Sequence, residues 1–166
     1  RITDYTGEAS VQRPHPPVFI GGGGRRTLEL AGREADIVGL APRILRTGLD
    51  TQSLTIEATR EKIEWVRAAA GDRFDDIEFN TYPSGWSPVL TDDLSGEAAK
   101  VIASLERRTG MTLTEQQVLD SPHLFIGSTA RLAEKFQQLR EDLGITSFLL
   151  GEVGELQPVL EVLAGT

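Results

Sequence analysis

The sequence predicts an α/β fold made of parallel βα units. Short β-branched or aromatic runs recur along the chain, each is followed by a segment of helical periodicity, and glycines or capping residues punctuate the joins. A strand, a helix and a further strand in that order require a crossover, which makes the strands parallel.

The first strand is read at Val18–Ile20, running into four consecutive glycines, Gly21–Gly24. From Arg25 to Arg33 the pattern turns helical, with Leu28 and Ala31 or Gly32 three to four residues apart. "ADIVGL" (35–40) is the second strand. After Pro42 and a polar loop, 51–70 is predicted as one long amphipathic helix burying Leu54, Ile56, Ile63, Trp65 and Val66, with Gly71 as its C-cap. "DIEFNTY" (76–82) alternates and forms the third strand, and 84–93 is a loop. Helices follow at 98–108 and 112–120, the second capped by Thr114.

The segment 121–152 carries the clearest pattern. Ser128 or Thr129 caps a helix whose apolar face is Leu132, Ala133, Phe136, Leu139 and Leu143. Gly144 ends it, "ITSFLL" (145–150) is the fourth strand, and 155–163 is a closing helix. Residues 1–17, with prolines at 14, 16 and 17, form a lead-in without regular structure ahead of a single α/β domain at 18–166. Four βα units suit a piece of a barrel or an open sheet equally.

Composition narrows the function classes. The net charge of −8 lacks the basic footprint of a nucleic-acid binder, and no stretch approaches the roughly 18 apolar residues of a membrane span. With no cysteine, disulfides, thiolate metal sites and cysteine nucleophiles are excluded. No secretory signal is visible in these residues, and a cytoplasmic location is the expectation. The chain opens on Arg1 rather than methionine, so a longer parent stays open.

The glycine run holds the chemical interest. A strand, a glycine turn and a helix place unpaired N–H groups at a helix N-terminus, where the macrodipole favours an anion. Arg25 and Arg26 add charge that a phosphate can use. The run matches neither the P-loop nor the dinucleotide fingerprint. The residues alone leave two readings, a phosphate cradle or a tight turn.

"RPHPPVFIGGGGRRTLELAGREADIVGL" (13–40) and "SPHLFIGSTARLAEKFQQLREDLGITSFLL" (121–150) resemble segments of the bacterial-luciferase-like monooxygenases. The resemblance is nearest to their deazaflavin (coenzyme F-420)-dependent branch. It implies a TIM barrel of roughly twice this length, of which the chain holds the second half, strands five to eight. It also implies that the loop after the fifth strand helps bind the phosphate of FMN or coenzyme F-420. That role falls on Gly21, Gly22, Gly23 and Gly24, with Arg25 as a weaker candidate. The family's ring-stacking elements and most substrate contacts would lie in the absent half, so no catalytic residue is carried over.

On that alignment Asn80, Tyr82, Ser84 and Trp86 reach the carboxyl end of the third strand, where they either line the cofactor pocket or pack a long loop. His15 and His123, the only histidines, are assigned structural or solvent-exposed positions near strand starts, away from the catalytic face. Two histidines without a carboxylate cluster argue against a metal. Glu34 and Asp36 are read as capping and surface charge, Ser128 and Thr129 as caps, and Arg131 with the acids of 134–142 as a solvated face. Asp92, Asp93 and Glu97 serve the dipole of the following helix.

Two function classes follow. The first is an F-420- or FMN-dependent oxidoreductase or monooxygenase acting on a small-molecule substrate, to which this chain contributes the cofactor-phosphate loop. The second is a non-catalytic half-barrel or phosphate-ligand module. Four units with open edges imply a partner, either the missing N-terminal half or a second copy of the chain in a homodimer.

Overall fold

A computed structural model describes residues 11–150 and 154–164; the first ten residues of the expected lead-in lie outside them. In chain order the elements are β1 (Phe19–Gly22), α1 (Arg25–Glu34), β2 (Ile37–Leu40) and a hairpin of β3 (Ile44–Leu45) and β4 (Gly48–Leu49). A 3-10 turn at Thr51–Leu54 leads into α2 (Ile56–Ala70), followed by β5 (Glu78–Thr81), β6 (Val89–Leu90), α3 (Leu94–Thr109) and α4 (Glu115–Asp120). The chain continues through β7 (Ile126–Gly127), α5 (Thr129–Leu143), β8 (Ile145–Phe148) and α6 (Gln157–Leu163).

The main sheet has the order β1-β2-β5-β8, all parallel, so the four predicted strands pair as neighbours in sequence order. The α/β class expected from the sequence is the one observed. Strand alternation gives the sheet two unlike faces. Val38, Leu40, Phe79 and Ile145 enter a core with Leu28 and Ala31 of α1, Ile63 and Val66 of α2, Leu132, Phe136 and Leu139 of α5, and Val159 of α6. In the opposite phase stand Phe19 and, in register across the strands, Gly21, Gly39, Asn80 and Ser147. Phe19 is 54% exposed, its ring edge resting over Gly39 where a Cβ would meet it at 2.7 Å. One face is therefore covered by helices while the other carries an exposed aromatic, unusual for a parallel sheet standing alone.

A second cluster lies beyond β5. Leu54, Ala98, Val101, Leu105, Val118, Leu124 and Ile126 pack together there, with β6 and β7 paired in parallel beneath α3 and α4.

Four expectations are corrected. The long helix at 51–70 is a 3-10 turn followed by α2, because the Thr55 hydroxyl accepts from the Ala58 N–H at 3.2 Å and starts the helix at Ile56. Leu54 thereby joins the second cluster. The loop after Pro42 contains the β3–β4 hairpin, and the loop at 84–93 contains β6. Helix α3 begins four residues early, at Leu94, since the Asp93 carboxylate accepts from the Gly96 N–H at 3.0 Å.

Candidate functional site

The carboxyl ends of parallel strands are where α/β proteins bind ligands, since the helix N-termini point there. In this chain that rim is formed by Gly23–Gly24 after β1, Ala41–Pro42 after β2, Tyr82–Pro88 after β5 and Leu149–Leu150 after β8; Gly21 and Gly22, expected in the turn, are instead the last two residues of β1, paired with Gly39 and Leu40.

The glycine loop packs closely against its neighbour. The Ala41 N–H donates to the Gly22 carbonyl at 3.0 Å. A Cβ at Gly23 would lie 2.5 Å from the Pro42 carbonyl carbon and 2.7 Å from the Ala41 carbonyl oxygen, so only glycine lets the two backbones approach. Gly24 differs, because a Cβ there would have nothing within 4 Å.

Gly24 is the N-cap of α1 and supplies no side-chain acceptor. Its carbonyl receives the Thr27 and Leu28 N–H groups, both at 3.1 Å, while those of Arg25 and Arg26 precede the helical ladder. By contrast α2, α3, α4 and α5 are capped by the side chains of Thr55, Asp93, Thr114 and Ser128. The Arg25 guanidinium turns along the helix to Glu29, Nε to Oε1 at 2.7 Å, with the arginine side chain 68% exposed. Arg25 therefore offers the rim its backbone N–H more directly than its charge.

The residues expected at the end of the third strand divide. Tyr82 and Trp86 line a cleft of about 730 Å³ with Pro83, Pro88, Leu149 and Leu150, on the same rim as the glycine loop. The Arg108 guanidinium stands 5.4 Å from the Trp86 ring and steadies the loop from α3. Ser84 is occupied locally: its hydroxyl donates to the Tyr82 carbonyl and its N–H to that of His123. Asn80 is buried on the opposite sheet face to the core, its Nδ2 donating to Ser147 Oγ at 2.9 Å and its Oδ1 without a partner among the described residues.

His123 precedes β7, as expected, but is fully buried there beside the carboxyl end of β5, its Nδ1 3.2 Å from the Thr81 hydroxyl and its Nε2 without a partner among the described residues. Burial, reinforced by the positive charge of Lys62, drives its pKa down to about 3 against a favourable contact with the Tyr82 backbone. The ring is neutral at pH 7. His15 is exposed and hydrogen-bonds only to the adjacent Pro16 carbonyl.

The remaining expectations are structural. Asp36 accepts from the Val18 N–H at 2.7 Å and joins the starts of β1 and β2. Glu97 pairs with Lys100, and Ser128 rather than Thr129 caps α5. Among the described residues no cluster of three or more His, Asp or Glu residues is arranged to hold a metal, and no helix is long and apolar enough to cross a membrane.

Two buried lysines were not singled out by sequence reading. Lys62 is 2% exposed and Lys135 8%, each donating to two backbone carbonyls. Burial lowers Lys62 to a pKa of about 8, opposed by Asp50, and Lys135 to about 7, opposed by Asp120. A signal existed. Lys62 stands three residues after Thr59 and four before Val66, and Lys135 three after Leu132 and four before Leu139, both on the buried stripe of their helices.

The architecture is that of consecutive parallel βα units. No protein-family model matches the chain, and neither does any curated protein. Among solved structures, a long-chain alkane monooxygenase superposes with a TM-score of 0.52 at 16% identity, over 90% of this chain and 39% of its own. A riboflavin lyase, solved with a modified FMN and its substrate riboflavin, gives 0.56 at 16% over 90% and 43%. The coenzyme F-420-dependent tetrahydromethanopterin reductase of Methanopyrus kandleri gives 0.54 at 15% over 90% and 49%. At these identities the likeness establishes the fold. The chain spans 39% to 49% of the length of these structures.

Proposed function

We propose that this chain is the C-terminal half, strands five to eight, of a luciferase-like oxidoreductase or monooxygenase that uses FMN or coenzyme F-420, and that Gly21–Gly24 with the Arg25 backbone hold the cofactor's phosphate. One observation carries the reading: at the carboxyl rim of a parallel sheet, α1 begins at a glycine with open space around it and no capping side chain. A phosphate oxygen at Gly24 would take the place of the missing cap, accepting from the Arg25 and Arg26 N–H groups and lying along the helix dipole. The fold likeness to enzymes of FMN and coenzyme F-420 supports this assignment.

When bound, such a cofactor supplies the hydride-transfer or oxygen chemistry. The chain's own part is to bind and orient. The glycine loop fixes the phosphate end, and the cleft between Tyr82, Trp86 and Leu149, uncharged among the described residues, admits an apolar organic substrate to the same rim. The exposed sheet face with Phe19 would be the seat of the complementary four units, either the N-terminal half or a second copy of the chain. A cytoplasmic location belongs to the same proposal.

Gly24→Asp tests it. The new carboxylate has room, caps α1 and stabilises the protein by roughly a few tenths of a kcal/mol, yet it occupies and repels the phosphate position. In a fluorescence titration, wild-type protein should bind FMN or coenzyme F-420 more tightly than the corresponding phosphate-free flavin or deazaflavin. The variant should lose that preference while its melting temperature holds or rises. A variant that keeps the preference contradicts the assignment.

A further inference from the structure

Lys62 makes no ion pair among the described residues, although it is almost wholly buried. Asp50, the opposite charge that acts on it most strongly, is bound by Arg43 through Nε at 2.8 Å and Nη2 at 2.5 Å. The Lys62 Nζ instead donates to the carbonyls of Ala41 and Ser53, both at 2.8 Å. A buried ammonium held by two neutral acceptors is costly, and an apolar residue at this point of α2 would pack beside Ile63 and Val66 without that cost. What the ammonium joins explains its presence.

Ala41 is the first residue beyond β2 and is held from both sides. Its carbonyl receives Lys62, and its N–H donates to Gly22 in the glycine loop. Gly23 lies directly against Ala41 and Pro42, too close for a Cβ. Ser53 secures the same strap at its next residue, where its hydroxyl accepts from the Arg43 N–H at 2.7 Å. Ala41 is therefore held between two hydrogen bonds, one from Lys62 to its carbonyl and one from its N–H to the Gly22 carbonyl.

We infer that Lys62 is a positioning residue for the glycine loop: its ammonium fixes the Ala41–Pro42 strap, and the strap fixes the Gly22–Gly24 backbone in the arrangement that receives a phosphate. The phosphate part rests on the function proposed above. Lys62 itself touches no ligand; it acts through Ala41.

The test is Lys62→Met, of matched length without donors, followed by hydrogen exchange and by binding of FMN against riboflavin and of coenzyme F-420 against its phosphate-free deazaflavin. Exchange at the amides of 23–27 should rise by about tenfold or more while those of β5 and α5 stay as in wild type. Affinity for the phosphate-bearing ligand should fall by about tenfold, with the phosphate-free form changed by less than about twofold. Unchanged loop exchange, or an equal rise throughout the sheet as from a merely structural lysine, overturns the inference. If Lys62→Met does not fold, Lys62→Gln, which keeps a shorter donor, should show intermediate loop exchange; wild-type exchange there overturns it too. Should wild-type protein show no preference for phosphate while Lys62→Met still loosens the loop, the cofactor reading fails and the positioning role stands. A phosphate preference that survives Lys62→Met gives the reverse.

Discussion

His123 is a neutral ring buried against Thr81 at the carboxyl end of β5, and its acid–base behaviour follows from that burial. Its folded pKa of about 3 lies below the ordinary value of 6.5, so the unfolded chain binds the proton first. The stability it contributes is complete above about pH 6.5 and is lost as pH falls towards 3. His123→Asn, which keeps a hydrogen-bonding atom near Nδ1 and cannot titrate, should show a shallower acid loss in urea denaturation. The two proteins should diverge by a few kcal/mol across that window; parallel curves would show that the ring is not protonated on unfolding. The sequence placed this histidine just ahead of a strand, as it stands before β7, but did not show that the chain there lies against the carboxyl end of β5. The turn that folds 121–124 back beneath Tyr82 depends on long-range bonds, such as Ser121 Oγ to the Leu54 carbonyl at 2.6 Å, which no local pattern announces. Gly23 is a second residue whose role comes from another strand. Gly23→Ala would press a Cβ against Pro42 backbone and should destabilise the protein by about 1–3 kcal/mol, measured by thermal unfolding, whereas Gly24→Ala should be nearly neutral; equal effects would contradict the packing described.

Elements with a strong apolar stripe and a local cap were legible in the sequence. Helix α5 shows this well: Ser128 caps it, all five expected apolar residues are buried, and Gly144 closes it in the left-handed conformation at φ 67°. The start of α3 was less legible, because the apolar pattern begins at Ala98 while the first turn is made by Asp93 capping Gly96. Asp93→Ala should therefore cost about 1 kcal/mol in denaturant unfolding, and an unchanged midpoint would show that α3 does not depend on that cap. The β3–β4 hairpin and the β6–β7 pair escaped notice because each strand has only two residues, too few to display alternation. Their pairing is a consequence of the surrounding fold rather than of their own composition.

For the molecule as a whole, the order of βα units could be read from the sequence, but the direction in which the sheet is covered could not. Helices line one face, and Phe19 stands half exposed on the other with β1 and β8 as open edges. A chain that forms half a barrel should bury that face against four further units. If these residues alone are purified, light scattering at micromolar concentration should show a dimer, and Phe19→Asp should return it to a monomer; a monodisperse wild-type monomer would contradict a self-complementary face. The central claim, that residues 21–25 receive a cofactor phosphate, is tested most directly by amide NMR of the protein titrated with FMN or coenzyme F-420 and with their phosphate-free counterparts. The account predicts that the Gly23, Gly24, Arg25 and Arg26 amides shift downfield with the phosphate-bearing ligand and not with its phosphate-free form. Shifts confined to other residues, or identical for both ligands, would contradict it.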